Sequence, residues 1–203
     1  MEQREQMTTG IAAIALAALF PVYWIFSLSD AMGDFEASIR ANLTVLNFND
    51  LLFLVLGILE IYVYLSLRKT LKDYMGTTAA QLLLLLMCIA VIAFHSTLIF
   101  DLFLAMAQAP SAETIDNLNN IAIAISIGGL IIYSILGLVF AILLMLKAKE
   151  LSSLIKVFSV LLLISCALQL TVVFSFVSLL LFPAAMLVLA IYYFKSPTSV
   201  EVV

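Results

Sequence analysis

Charge is scarce in this chain, and so are the residues that most reactive sites need. Only 11% of its 203 residues are Asp, Glu, Lys or Arg, while 65% are hydrophobic. A water-soluble domain of this size needs far more polar surface to cover its core, so that class is excluded. There is one histidine, His95. Neither a His-x-x-x-His nor a Glu-x-x-His pair occurs, so a metal site built on one helix has no support, and no metal or other cofactor is expected. The two cysteines, Cys88 and Cys166, both fall inside apolar runs. They read as small buried hydrophobes rather than a redox pair or metal ligands. There is no G-x-S-x-G and no nucleophile–base motif, which argues against covalent catalysis. No basic run exceeds a few residues, so a nucleic-acid partner is not expected. The first apolar run lacks an A-x-A cleavage pattern in a polar setting, and reads as a retained span. No ring of like charges and no filter sequence points to an ion pore. There is also no internal repeat of the kind that marks many transporters.

What fills the chain instead is a series of apolar runs near 20 residues long. The bilayer requires every backbone polar group to be paired within the segment, so these polar-free runs read as helices rather than barrel strands. The expected fold is an all-α polytopic membrane protein: one transmembrane domain, a compact bundle of six helices. The spans are placed at about 9–28, 50–67, 78–106, 120–146, 154–173 and 178–194. The third is long enough to require tilt. From 154 to 194 the chain is predominantly apolar. As one helix that block would be roughly 60 Å long, about twice the hydrocarbon core. It therefore reads as two spans with a turn near 174–177, although no Gly, Asn or Pro marks the place. Between the first two spans, Phe35, Ile39, Leu43 and Leu46 recur at helical spacing beside a Glu36–Arg40 pair. That pattern predicts a short amphipathic helix on the membrane surface over about 34–46.

Six spans with the N-terminus in the cytoplasm put Arg4, Arg68, Lys69, Lys72, Lys147, Lys149, Lys156 and Lys195 on one side and Arg40 alone on the other. This bias predicts both termini inside, in a bacterial inner membrane.

One carboxyl stands out, in the stretch LGILEIYVYLSLRKT. Eleven Leu, Ile, Val and Phe residues between Leu51 and Leu65 surround Glu60. Each favours insertion by roughly 0.3–0.6 kcal/mol, enough to offset a central charge costing about 3 kcal/mol. Glu60 is thus tolerable but needs a reason. Tyr64 at i+4 and Gly57 at i−3 share its face, which should point into the bundle. Such a group serves either as a proton or cation site, or as a neutral acid bonding a neighbouring helix. His95 falls at a similar depth. Asp101 lies six residues on, about 120° away around the helix, and reads as an outer-interface group. Gln169 reads as interhelical glue. In the fourth span Ala124 with Gly128, and Gly137 with Ala141, form small-xxx-small pairs beside Gly129, a helix-packing or oligomer face. Ala13 and Ala17 form another in the first span.

In architecture, six spans in about 200 residues with both ends inside and the Ala13/Ala17 face is similar to the compact substrate-binding subunits of energy-coupling vitamin transporters. No family-specific motif accompanies that likeness. Two functional expectations follow. The first is a small transporter or solute-binding transport subunit. Glu60, His95 and Tyr64 would line its site, Asp101, Asp50 and Gln169 would lie nearer the mouth, and protonation of Glu60 would couple to movement. The second is a non-catalytic scaffold or accessory subunit that binds a membrane partner, or a second copy of itself, through the small-residue faces.

Overall fold

A computed structural model describes residues 3–31, 46–75, 78–107, 110–171 and 174–195. Among the described residues the chain is helical, with no strand. The helices are α1 (Gln3–Ala31), α2 (Phe48–Met75), α3 (Thr78–His95), α4 (Leu98–Met106), α5 (Ala112–Leu146), α6 (Ser153–Leu170) and α7 (Ser175–Phe194), with a single 3₁₀ turn at Ala148–Glu150. Taking α3 and α4 together, six segments are long and apolar enough to cross a bilayer, which marks an integral membrane protein. The surface interfacial helix expected over about 34–46 falls almost wholly outside the described residues; Leu46 and Asn47 are not helical.

Helix α1 starts at Gln3 and α2 runs to Met75, both beyond the ends read from the sequence, and three further differences have a local reason. The span at 78–106 is interrupted at Ser96 and Thr97. There Ser96 Oγ donates to the Ala93 carbonyl (2.7 Å), Thr97 Oγ1 donates to that of Phe94 (2.9 Å), and His95 Nδ1 lies 2.9 Å from that of Val91. Three consecutive side chains bonding back to carbonyls compete with the helical ladder and end it. Helix α5 begins eight residues earlier than expected, at Ala112 rather than about Asn120. Ser111 caps it, its hydroxyl accepting from the Thr114 amide at 3.1 Å. The turn between the last two spans comes before 174–177. Helix α6 ends at Leu170, and Thr171 Oγ1 donates to the Leu168 carbonyl (2.6 Å) while accepting from the Phe174 amide (3.4 Å). A threonine hydroxyl does there what Gly or Asn would do elsewhere.

The helices close a ring. Each long helix packs against its neighbours in sequence, and α7 closes back on α1. At one end of this ring a Lys69–Glu5 ion pair (2.7 Å) joins α2 to α1. At the same end Thr70 Oγ1 meets the Tyr193 hydroxyl at 3.3 Å, and Phe194 lies against Gly10. The start of α1 and the end of α7 therefore sit together.

The two halves of the ring are filled differently. The half that carries the termini is solid. Tyr64, Leu67, Met87, Phe140, Leu144 and Phe158 are all buried there, and Ala13 and Leu16 of α1 are fully enclosed. Gly137 allows α5 to approach α6 closely: a Cβ there would lie 2.6 Å from Cys166 Sγ. Around the outside the spans expose large apolar side chains such as Ile25, Ile58, Ile92 and Leu180, as a lipid-facing surface should.

Candidate functional site

The other half of the ring is hollow. A chamber of about 90 Å³ lies on the axis and is lined from α1, α2, α3, α5, α6 and α7. A larger vestibule of about 600 Å³ adjoins it toward the end away from the termini. The two spaces share Phe20, Tyr23, Trp24, Phe53, Phe94 and Leu130 as walls.

Glu60 lines the chamber with 8% of its surface exposed. Among the described residues it has no ion-pair partner. Its hydrogen-bonding neighbours are the phenols of Tyr64, one turn along α2, and Tyr133 on α5. Those two phenols are bonded to each other and their rings stack. A carboxyl removed from water needs polar contacts to be tolerated at all, and phenols supply them without a counter-charge. The result is a hydrogen-bonded cluster of one acid and two phenols joining α2 to α5. It forms where the solid half of the ring meets the hollow half.

His95 reaches the same chamber from the end of α3. The Val91 carbonyl can only accept, so Nδ1 carries the proton in that bond, which leaves Nε2 able to accept in the neutral ring. Phe53 stacks on the imidazole with ring centroids 4.2 Å apart and planes 23° apart. Gly57 explains how the ring fits: a Cβ there would lie 2.7 Å from two of its carbons. Gln169 lines both spaces, and its side-chain oxygen lies 2.8 Å from the Ser134 hydroxyl, which ties α6 to α5.

Asp101 sits elsewhere. Beyond the interruption at Ser96–Thr97 it lines the vestibule, as does Asp50. Asp50 also accepts from the Asn47 amide (2.8 Å), while Asn47 Oδ1 accepts from the amides of Asn49 (2.7 Å) and Asp50 (3.3 Å), closing the N-terminus of α2. Among the described residues no Lys or Arg lines either space. No cluster of three or more His, Cys, Asp or Glu side chains suited to a metal ion occurs among them either.

The structure thus brings Glu60, His95 and Gln169 to one chamber, sets Tyr64 behind Glu60, and puts Asp101 at the mouth. The small residues of α5 divide. Gly137 and Ala141 are buried inside the chain and Gly129 lines the chamber, whereas Ala124 is exposed and Gly128 has open space beside it. Sequence reasoning missed Tyr133, the second phenol on Glu60. Its signal was a lone tyrosine within the apolar run that follows Ile121. It also missed the aromatic wall, since Tyr23 and Trp24 look like an interface belt when only their position along the span is known. Trp24 instead lines both spaces, and its indole Nε1 is buried with no hydrogen-bond partner among the described residues.

Comparison with models of known protein families, with characterised proteins and with solved structures finds no match. Any functional reading therefore rests on the site itself.

Proposed function

We propose that this chain is a small integral membrane transporter or solute-binding transport subunit whose solute site is the axial chamber. The observation that carries this reading is the convergence of six helices on one polar-tipped hollow. A packed bundle gains nothing from a cavity floored by a carboxyl, whereas a concave, largely apolar space with a few convergent polar groups is the ordinary form of a small-molecule site. A single intramembrane acid with phenol partners is suited to taking and releasing a proton as solute arrives. In the proposed orientation both termini face the cytoplasm of a bacterial cell and the vestibule faces outward. The Lys and Arg bias toward the terminus-bearing end supports it.

The test is a comparison of small molecules released on denaturing purified wild-type protein and the Gln169→Leu variant. A solute enriched in the first and depleted in the second is expected. Identical profiles from the two, both equal to a membrane-protein blank, would contradict the reading.

One observation favours the second class, an accessory subunit. Ala124 and Gly128 present a small, uncovered seam on α5, against which a partner's transmembrane helix could pack closely. Gly128→Leu would then release a co-purifying subunit without altering released solutes.

A further inference from the structure

Resting on the reading of the axial space as a solute site, we infer that the solute is a small organic cation, of the alkylammonium or quaternary ammonium class, drawn in past Asp50 and Asp101 and held between aromatic faces and Glu60.

Three independent features converge on that chemistry. The first is charge. The ionisable acids lining the path are Asp50 and Asp101 in the vestibule and Glu60 in the chamber, and no lysine or arginine lines either space among the described residues. Low-dielectric walls bearing one sign of charge concentrate the opposite ion and repel its own sign. Among the described residues, an anion would meet three carboxyls and no lysine or arginine to receive it.

The second is the wall between these acids. Phe53 lies one turn along α2 from Asp50; Tyr23 (5.4 Å, 22°) and His95 (4.2 Å, 23°) stack on its two faces, so it buttresses those rings in the wall rather than offering a face of its own. Phe20, on the same helix as Tyr23, packs on Phe182 at 4.7 Å. Trp24 completes the collar. Aromatic faces attract alkylated ammonium groups through the ring quadrupole, and strongly so where water is excluded. They offer little to a hydrated inorganic ion, and among the described residues a divalent metal lacks the clustered ligands it needs.

The third is order and size. Asp50 and Glu60 are ten residues apart on α2, so the floor lies about 15 Å below the rim at 1.5 Å per residue. A solute thus passes acid, then aromatic collar, then buried acid. The floor chamber, at about 90 Å³, admits only a small head group, while Glu60 sits there with phenols but, among the described residues, no counter-ion. A cation supplies the missing charge and would take the place of the proton on Glu60.

The molecule carries its own reporter, because Trp24 is the sole tryptophan and lines both spaces. The experiment measures binding of tritiated choline to purified full-length protein in nanodiscs, by scintillation proximity, with Trp24 emission followed in parallel. Competitors are tetramethylammonium, the neutral carbon isostere of choline, and trimethylacetate. Saturable choline binding is expected, displaced by tetramethylammonium but not by the neutral or anionic probe, with a matching change in Trp24 emission. Glu60→Gln should weaken it about tenfold or more, the loss of a charge-assisted contact. Asp101→Asn lies at the mouth and leaves the buried cluster intact. It should slow association and flatten the salt dependence.

Displacement by the neutral isostere or by trimethylacetate as effective as by tetramethylammonium would overturn the cation assignment and leave the solute site standing. No binding of any probe would also overturn the assignment. In that case labelling of Leu130→Cys by a hydrophilic thiol reagent separates the two failures: a reactive cysteine keeps the solute site, and an unreactive one removes it as well.

Discussion

Glu60 is a side chain that hydrocarbon rejects and that this bundle accepts through hydrogen bonds alone. With Tyr64 and Tyr133 as neighbours and, among the described residues, no basic partner, its charge state is expected to respond to what enters the chamber. Glu60→Gln keeps the shape and most of the hydrogen-bonding capacity. The variant should insert and fold as wild type does, yet its solute binding or uptake should lose its dependence on pH. The groups that could mask this are Asp50 and Asp101 in the vestibule, His95 in the same chamber, Cys166 on its wall, and Cys88, Tyr64 and Tyr133 around the carboxyl. A pH profile unchanged in the variant counts against proton coupling. Gly57 supports a sharper claim about packing. Gly57→Ala forces a methyl into the His95 ring, and overpacking of this kind costs about 1–3 kcal/mol. His95→Ala clears that space. In the double variant the Gly57→Ala penalty should fall to a few tenths of a kcal/mol, and thermal unfolding of the four proteins measures the coupling. Additive losses would show that the ring does not rest on Gly57.

Helices were the most legible level of this chain, because twenty apolar residues in a row admit one solution in a bilayer. Six segments long and apolar enough to cross a bilayer overlie the apolar runs, with α1 starting at Gln3 and α2 running on to Met75, past the ends read at about 9 and 67. What hydropathy could not supply was the chemistry of the interruptions. A sequence reader expects Gly or Pro to end a helix, whereas here His95, Ser96 and Thr97 end α3 by returning to the carbonyls of Val91, Ala93 and Phe94. Thr171 likewise closes α6 with its hydroxyl. These residues are individually common inside helices, so only their joint geometry reveals the break. If the side chains cause it, replacing Ser96 and Thr97 together with Ala should let the ladder run through. Amides over 96–100 should then exchange more slowly with deuterium than in wild type. Unchanged exchange would place the cause in the packing of α4 on α5. At Gly137 the constraint is interhelical: Gly137→Ala pushes on Cys166 Sγ and should destabilise by about 1–3 kcal/mol, most of it recovered by adding Cys166→Ala.

For the molecule as a whole, the division of the ring into a solid half and a hollow half matters most. The cost of burying polar groups in lipid made it legible that Glu60 and His95 would turn inward. That Glu60 and His95 would share one site, with Asp101 nearer its mouth, was an expectation of the transporter reading; the helix rotations and the break after His95 that give it shape are encoded by no periodicity. The aromatic collar was hidden for the same reason, since Phe53 looks like any other apolar residue of its span. The arrangement sets an accessibility pattern that follows depth. It requires a path from the face opposite the termini down to the collar, and a seal below Glu60 made by side chains such as Leu144 and Phe140. Its most direct test uses single cysteines in a Cys88→Ala, Cys166→Ala background, in sealed vesicles with a tagged N-terminus. A membrane-impermeant thiol reagent should modify Leu130→Cys only from the face opposite the tag, with choline slowing the reaction, and should leave Leu144→Cys unmodified from either face. A Leu130→Cys that stays inert from both faces, or a Leu144→Cys that reacts, would contradict the account.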